Sequence, residues 1–319
     1  MPHHGRTLDS LKQWEARFDP ITRLVWSTNR EVRLTDQAAH IAQLMRAAMN
    51  HVAALVAFDC ALYLEPDRSR LQREIILDQA IALGSAYTPI VDRLKNDFYY
   101  MEVFVKAVEQ RNANLRTNMK KYTDSQVVDE FKLVRGECED HVKALLVKQA
   151  YAYPGDILQG TLDGKNPFYR ALVIRTLQIH FFTSTAKKPS VSSMFPERFT
   201  SSDRYKADEL EIPIPMLALT CAMIKLSLDL WRNGRGPTVK EDGKRNRAEM
   251  FALTACREEY TKVLELIDDI REGGPRMYHR VMHDVYLSAC GSSPIVRDAK
   301  RDDDPRNRAV SRVIFDPED

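Results

Sequence analysis

Glycine is scarce in this chain, with 12 residues in 319. None of them sits in a GxGxxG or GxxxxGK[ST] pattern, so nothing points to a dinucleotide fold or a phosphate-cradling loop. Alternating apolar and polar runs of the kind that make half-buried strands are missing as well. The five cysteines, Cys60, Cys138, Cys221, Cys256 and Cys290, form no CxxC pair. An odd, scattered set argues against a disulfide framework and reads as reduced thiols, buried as small hydrophobes in an intracellular protein. Neither sign of charge dominates: 47 Lys and Arg face 45 Asp and Glu, a net +2, so any nucleic-acid contact must be local. Long uncharged runs are lacking too. The most apolar stretch, EIPIPMLALTCAMIKLSLDLW (Glu211 to Trp231), is free of charge only from Ile212 to Ile224, short of the ~20 residues a bilayer span needs. Ala47 to Leu64 is interrupted by Asn50, His51 and Asp59. Both read as buried helices and no membrane partner is expected. The start, MPHHGRTLDSLKQ, has no apolar signal region, so secretion is not expected either.

What the chain does contain is helix-forming sequence divided by turn signals. Runs rich in Ala, Leu, Glu, Lys and Arg lie between Glu65-Pro66, Thr88-Pro89, Tyr153-Pro154-Gly155, Asn233-Gly234 and Gly273-Gly274-Pro275. Thr35-Asp36 and Thr123-Asp124-Ser125 read as helix caps, and Pro213 and Pro215 as the opening of a helix over the apolar stretch. The expectation is an all-α fold, a single domain of about eight or nine helices with no significant sheet, over residues 36–292. Residues 1–35 are expected to form a loosely ordered arm, and 293–319 a charged, mobile tail.

The ordered blocks FKLVRGECEDHVKALLVKQAYAYPG, NPFYRALVIRTLQIHFF, MFPERF, IPIPMLALTCAMIKLSLDLWRNGRG, REEYTKVLELIDDI and YHRVMHDVY resemble a domain of unknown function widespread in basidiomycete fungi, over about residues 69–290. The resemblance implies a helical, intracellular fold and a fungal source. It implies no activity, cofactor or catalytic residue.

Candidate sites come from the residues themselves. His279 and His283, four apart on the last expected helix, share a face at a spacing that lets two imidazoles hold one metal ion. Counting 100° per residue places them on the side away from Met277, Val281 and Val285, near solvent. The residue after His279 is Arg280, so the zincin general base is missing. ECEDH, Glu137 to His141, offers three carboxylates and an imidazole on what reads as a helix, with Glu137 and His141 an i, i+4 pair, more in keeping with a helix-stabilising pair or a solvated face than with acid–base work. Between Arg232 and Arg247 stand Arg232, Arg235, Lys240, Lys244, Arg245 and Arg247 against only Glu241 and Asp242. Arg116, Lys120 and Lys121 read as a second basic patch between helices. Loop cations of this kind can reach phosphates or an acidic protein face. The functional expectation is therefore a non-enzymatic interaction module that meets a protein or nucleic-acid partner through the basic loop and carries no cofactor. The alternative is a metal-dependent enzyme built on His279, His283 and a nearby carboxylate. An oligomer is left open.

Overall fold

The structure, a computed structural model, describes residues 7–63, 65–185, 189–237 and 253–291. Among them it is all-helical: eleven α-helices joined by short 3-10 and π turns, with isolated bridging such as that between Trp26 and Val32 in place of a sheet. The chain divides into two compact units, one of residues 1–56 and 62–114, the other of 57–61 and 115–319.

The first unit holds α1 (Leu8–Glu15), α2 (Ala39–Ala54), α3 (Glu65–Ala82), α4 (Thr88–Asn96) and the beginning of α5 (Phe98–Glu130). Its core joins Ile41, Leu44 and Met45 of α2 to Ile76 and Ala80 of α3, Ile90 and Leu94 of α4, and Tyr100 and Phe104 of α5. These positions recur every three or four residues, as a helix with one apolar face requires. Residues 39–59 are long and apolar enough to cross a membrane by length and composition, yet Ile41, Leu44, Met45 and Val52 of this stretch are buried in the protein core.

The N-terminal segment, expected as a loose arm, is built into this unit. Thr7 caps α1 by accepting from the Ser10 amide, and Leu11 is fully buried. Glu15 and Arg93 form a bidentate pair at 2.9 and 3.2 Å, with side chains only 5% and 4% exposed. Arg93 also donates to Thr22 O at 2.9 Å and to Asp97 Oδ2 at 3.3 Å, and lies over the Phe18 and Tyr100 rings. Glu15 accepts the Leu24 amide. A buried guanidinium is tolerated here because a carboxylate, a carbonyl and ring faces replace its water.

The second unit holds the rest of α5, then α6 (Glu139–Leu146), α7 (Ala171–Leu177), α8 (Val191–Met194), α9 (Ile214–Asp229), α10 (Leu253–Gly273) and α11 (Pro275–Ala289). The helix α9 is its spine: 13 of its 16 residues are buried, and α6, α7 and α10 pack around it. Its Ser227 is paired inward, with Thr123 Oγ1 of α5 2.7 Å from Ser227 Oγ, which in turn donates to Met223 O.

Several sequence expectations fail here for local reasons. Thr123 does not cap a helix but lies inside α5, bonded back to Lys120 O. Arg116, Lys120 and Lys121 accordingly lie within α5 and not between helices, and Lys120 is buried in an ion pair with Asp124 one turn on. The chain between Thr123-Asp124-Ser125, read as a helix cap, and the Tyr153-Pro154-Gly155 turn signal is not one helix: it breaks after Glu130, where Lys132 and Gly136 take positive φ. The thiols divide as well: Cys138, Cys221 and Cys256 are buried, whereas Cys60 is partly covered and Cys290 is exposed. Burial pushes the Cys256 thiol up to about 12.

Candidate functional site

The basic segment begins where α9 ends. Trp231 is buried, and the chain then turns so that Gly234 N–H donates to Trp231 O at 2.8 Å. Gly234 and Gly236 adopt φ of +73° and +69°, a region other residues avoid. Both are also tightly placed: a Cβ at Gly236 would stand 2.8 Å from the Trp231 ring, and one at Gly234 3.3 Å from Glu139 Cβ. Gly234 O accepts the Gly136 amide at 2.7 Å, so the turn is tied to the bend that precedes α6. Arg232 and Arg235 stand exposed on this braced turn, and Arg135 donates to Pro237 O nearby. Glu139, held below its ordinary range by Lys143 above all and by Arg235 to a lesser degree, offsets part of the charge. Lys240, Lys244, Arg245 and Arg247 lie outside the described residues.

His279 and His283 are placed on α11 as the sequence indicates, and their rings stack in parallel with centroids 6.0 Å apart. Their environment differs from the expected one. His279 is only 4% exposed, because the extended segment before α9 lies along that side of α11: Ile212 N–H donates to Met282 O, and His283 Nδ1 is 2.8 Å from Leu210 O. Both nitrogens of His279 are engaged, Nδ1 with Glu211 Oε1 at 2.7 Å and Nε2 with Glu209 Oε2 at 2.8 Å. Burial works against the imidazolium, but bonds to Glu211 and Glu209 outweigh it and raise the imidazole above its ordinary value. Glu209, held by His279 and then Lys206, is pulled down to about 2. Glu211 Oε1 accepts further bonds from Ser202 N–H and Oγ–H. The arrangement is a charge-assisted latch fastening residues 200–212 to α11. Among the described residues, no three or more His, Cys, Asp or Glu side chains gather as a metal ion would require.

The ECEDH stretch does not join this cluster. Glu137 is exposed and precedes α6, which starts at Glu139, so Glu137 and His141 do not share a helix face. His141 is lowered by burial, and the nearby charges acting on it are Asp156 and Arg170. Asp284 accepts a 2.6 Å bond from the Tyr169 hydroxyl. Sequence reasoning missed Glu209 and Glu211 as the partners of His279. The signal was the Glu-Leu-Glu alternation before Ile212-Pro213, which in extended chain puts both carboxylates on one side.

The model of a protein family described as a domain of unknown function, DUF6532, matches residues 47–270, more than two thirds of the chain. The chain belongs to this family. The DUF6532 match takes in α9 and the Arg232–Arg247 segment, and ends before α11 and its histidines. No curated protein and no solved structure matches the chain.

Proposed function

We propose that this DUF6532 protein is a non-enzymatic helical binding module that presents the Arg232–Arg247 segment to an anionic partner, a nucleic acid or an acidic protein face. The observation that carries the reading is the pair of exposed arginines, Arg232 and Arg235, on a turn that glycine packing holds in one shape. They head a segment with six cations and two acids in a nearly neutral chain. A braced turn loses less conformational freedom on binding than a loose one, so its charges contribute more of their attraction. An intracellular location and a fungal source belong to the same proposal.

The test is the double charge reversal Arg232→Glu with Arg235→Glu, titrated against a fluorescent DNA duplex and against polyglutamate. These arginines are exposed, so thermal unfolding should move by no more than about 0.5 kcal/mol. Affinity for the favoured anion should fall at least about tenfold, or 1.4 kcal/mol. Unchanged affinity for both polyanions would refute the proposal.

The alternative, a metal-dependent enzyme at His279 and His283, draws support from the two carboxylates the fold brings to His279. It requires Glu209 or Glu211 to give up an imidazole nitrogen to the metal. Metal content of the purified protein, with and without His279→Gln, decides it: stoichiometric metal lost in the variant supports the enzyme, and equal trace metal in both removes it.

A further inference from the structure

Within the second unit, away from Arg232 and Arg235, lies an open cleft of about 500 Å³, a volume in the range of small-ligand sites. One wall is a stripe of α10, Tyr260, Leu264, Asp268 and Arg271, residues that share a helix face. The facing wall is Ile212 and Pro213 with Ile214 and Pro215, the first two residues of α9. One end is set by Phe58 and Asp59, which close a π-helical turn, Leu55–Asp59, of a kind that recurs at functional sites. There Asp59 pairs with Arg198 at 2.7 Å, and the Tyr260 hydroxyl accepts the Ala61 amide. The other end holds Asp268, eight residues farther along α10 and so about 12 Å away at a rise of roughly 1.5 Å per residue. Asp268 pairs with Arg271 at 2.6 Å, and Glu211 and Tyr278 line the cleft with them.

The two ends are not equally satisfied. Glu211 is 7% and Tyr278 6% exposed. Every bond to the Glu211 side chain enters Oε1, from His279 and Ser202, and among the described residues nothing bonds Oε2. The Tyr278 hydroxyl likewise has no hydrogen-bond partner among them, and burial first, then Glu211, pushes it up to about 12, so it stays protonated. Both residues line the cleft, so that oxygen and that hydroxyl are left for water or a ligand to complete. With Asp268 alongside, this end is rich in acceptors, and only Arg271 among its lining residues is cationic. Between the ends the lining is apolar, from Ile212, Pro213, Ile214 and Leu264. Pro213 and Pro215 have no backbone N–H to offer a ligand.

We infer that this cleft binds a primary ammonium group carried on an apolar body, with the ammonium at Glu211 Oε2 and the Tyr278 hydroxyl and the body along Ile212 to Pro215 and Leu264. The ammonium supplies three donors to an end that has acceptors to spare. The source is a small amine or the free amino terminus of an apolar peptide.

The probes are n-hexylammonium with 1-hexanol as its neutral counterpart, and trileucine amide with its N-acetylated form, titrated calorimetrically into the full chain. Saturable binding of an ammonium probe, at least tenfold tighter than that of its neutral counterpart, is the expected result. The pair that shows the larger ratio tells a small amine from a peptide terminus. Tyr278→Phe breaks no bond within the described structure, so it should keep the melting temperature and lose threefold or more in affinity. Leu264→Trp, which fills the cleft from α10, should abolish binding. Equal affinity for charged and neutral probes, an unaffected Tyr278→Phe, or no saturable binding up to about 10 mM would each overturn the inference.

Discussion

Removing the Glu15 carboxylate should unfold the N-terminal segment from the first unit. In the native chain that carboxylate takes two bonds from Arg93 and one from the Leu24 amide, with 5% of its side chain exposed. Glu15→Ala leaves the guanidinium buried with Thr22 O, Thr22 Oγ1 and Asp97 as its remaining oxygen partners. Breaking a buried pair from one side costs about 3–5 kcal/mol, most of it the uncompensated charge. The ring faces of Phe18 and Tyr100 at 3.6 and 4.1 Å remain and soften the loss, so the lower half of that range is expected. The double change Glu15→Leu with Arg93→Met, which removes both charges and keeps the volume, should recover most of the stability. Urea unfolding gives the magnitudes, and amide hydrogen exchange gives the location, with the rise for Glu15→Ala greatest over residues 7–36. If Glu15→Ala costs under about 1 kcal/mol, or the double change is no better than the single one, the reasoning about buried pairing is wrong.

Two further outcomes follow from the second unit. The His279 latch should give stability a pH dependence: a raised imidazole contributes fully below its ordinary 6.5 and loses that contribution as pH rises through the raised value. Glu209, lowered to about 2, contributes above its ordinary 4.5 and loses that as pH falls toward 2. The stability gap between wild type and His279→Gln should therefore be widest between those two ordinary values and narrow toward pH 9; a gap that grows with alkaline pH would contradict the latch. Gly236→Ala combines a positive φ with a Cβ 2.8 Å from the Trp231 ring, and should cost about 2 kcal/mol and change Trp231 emission. A neutral Gly236→Ala would show that the turn is not braced.

How far the sequence foretells this structure varies with the range of the interaction. The helix α9 is legible because its signals are local: an apolar run, two prolines at the start, Asn-Gly at the end. The joint between α10 and α11 is legible through Gly273-Gly274-Pro275 for the same reason. The continuity of α5 is not, because a threonine that caps a helix and one that bonds back within it look alike in sequence, and only Ser227, 104 residues on, shows which Thr123 is. Glu15 and Arg93 are 78 residues apart, and no periodicity links them. His279 falls on the polar side of α11 by angle, as expected. It is buried nevertheless, because helical angle does not report what another segment lays over that face. Arg232 and Arg235 are visible in the sequence as charges; the packing of Gly234 and Gly236 that holds them is not.

The basic turn is tested most directly by salt. Binding of a fluorescent duplex to the wild-type chain and to the Arg232→Glu, Arg235→Glu variant would be measured at several salt concentrations and plotted as log affinity against log salt. Each phosphate that a cation neutralises contributes about 0.9 to the steepness of that line, so removing both arginines should leave the variant shallower by roughly 1.8, with weaker binding at low salt. Parallel lines of equal affinity would contradict the assignment of these arginines to the partner.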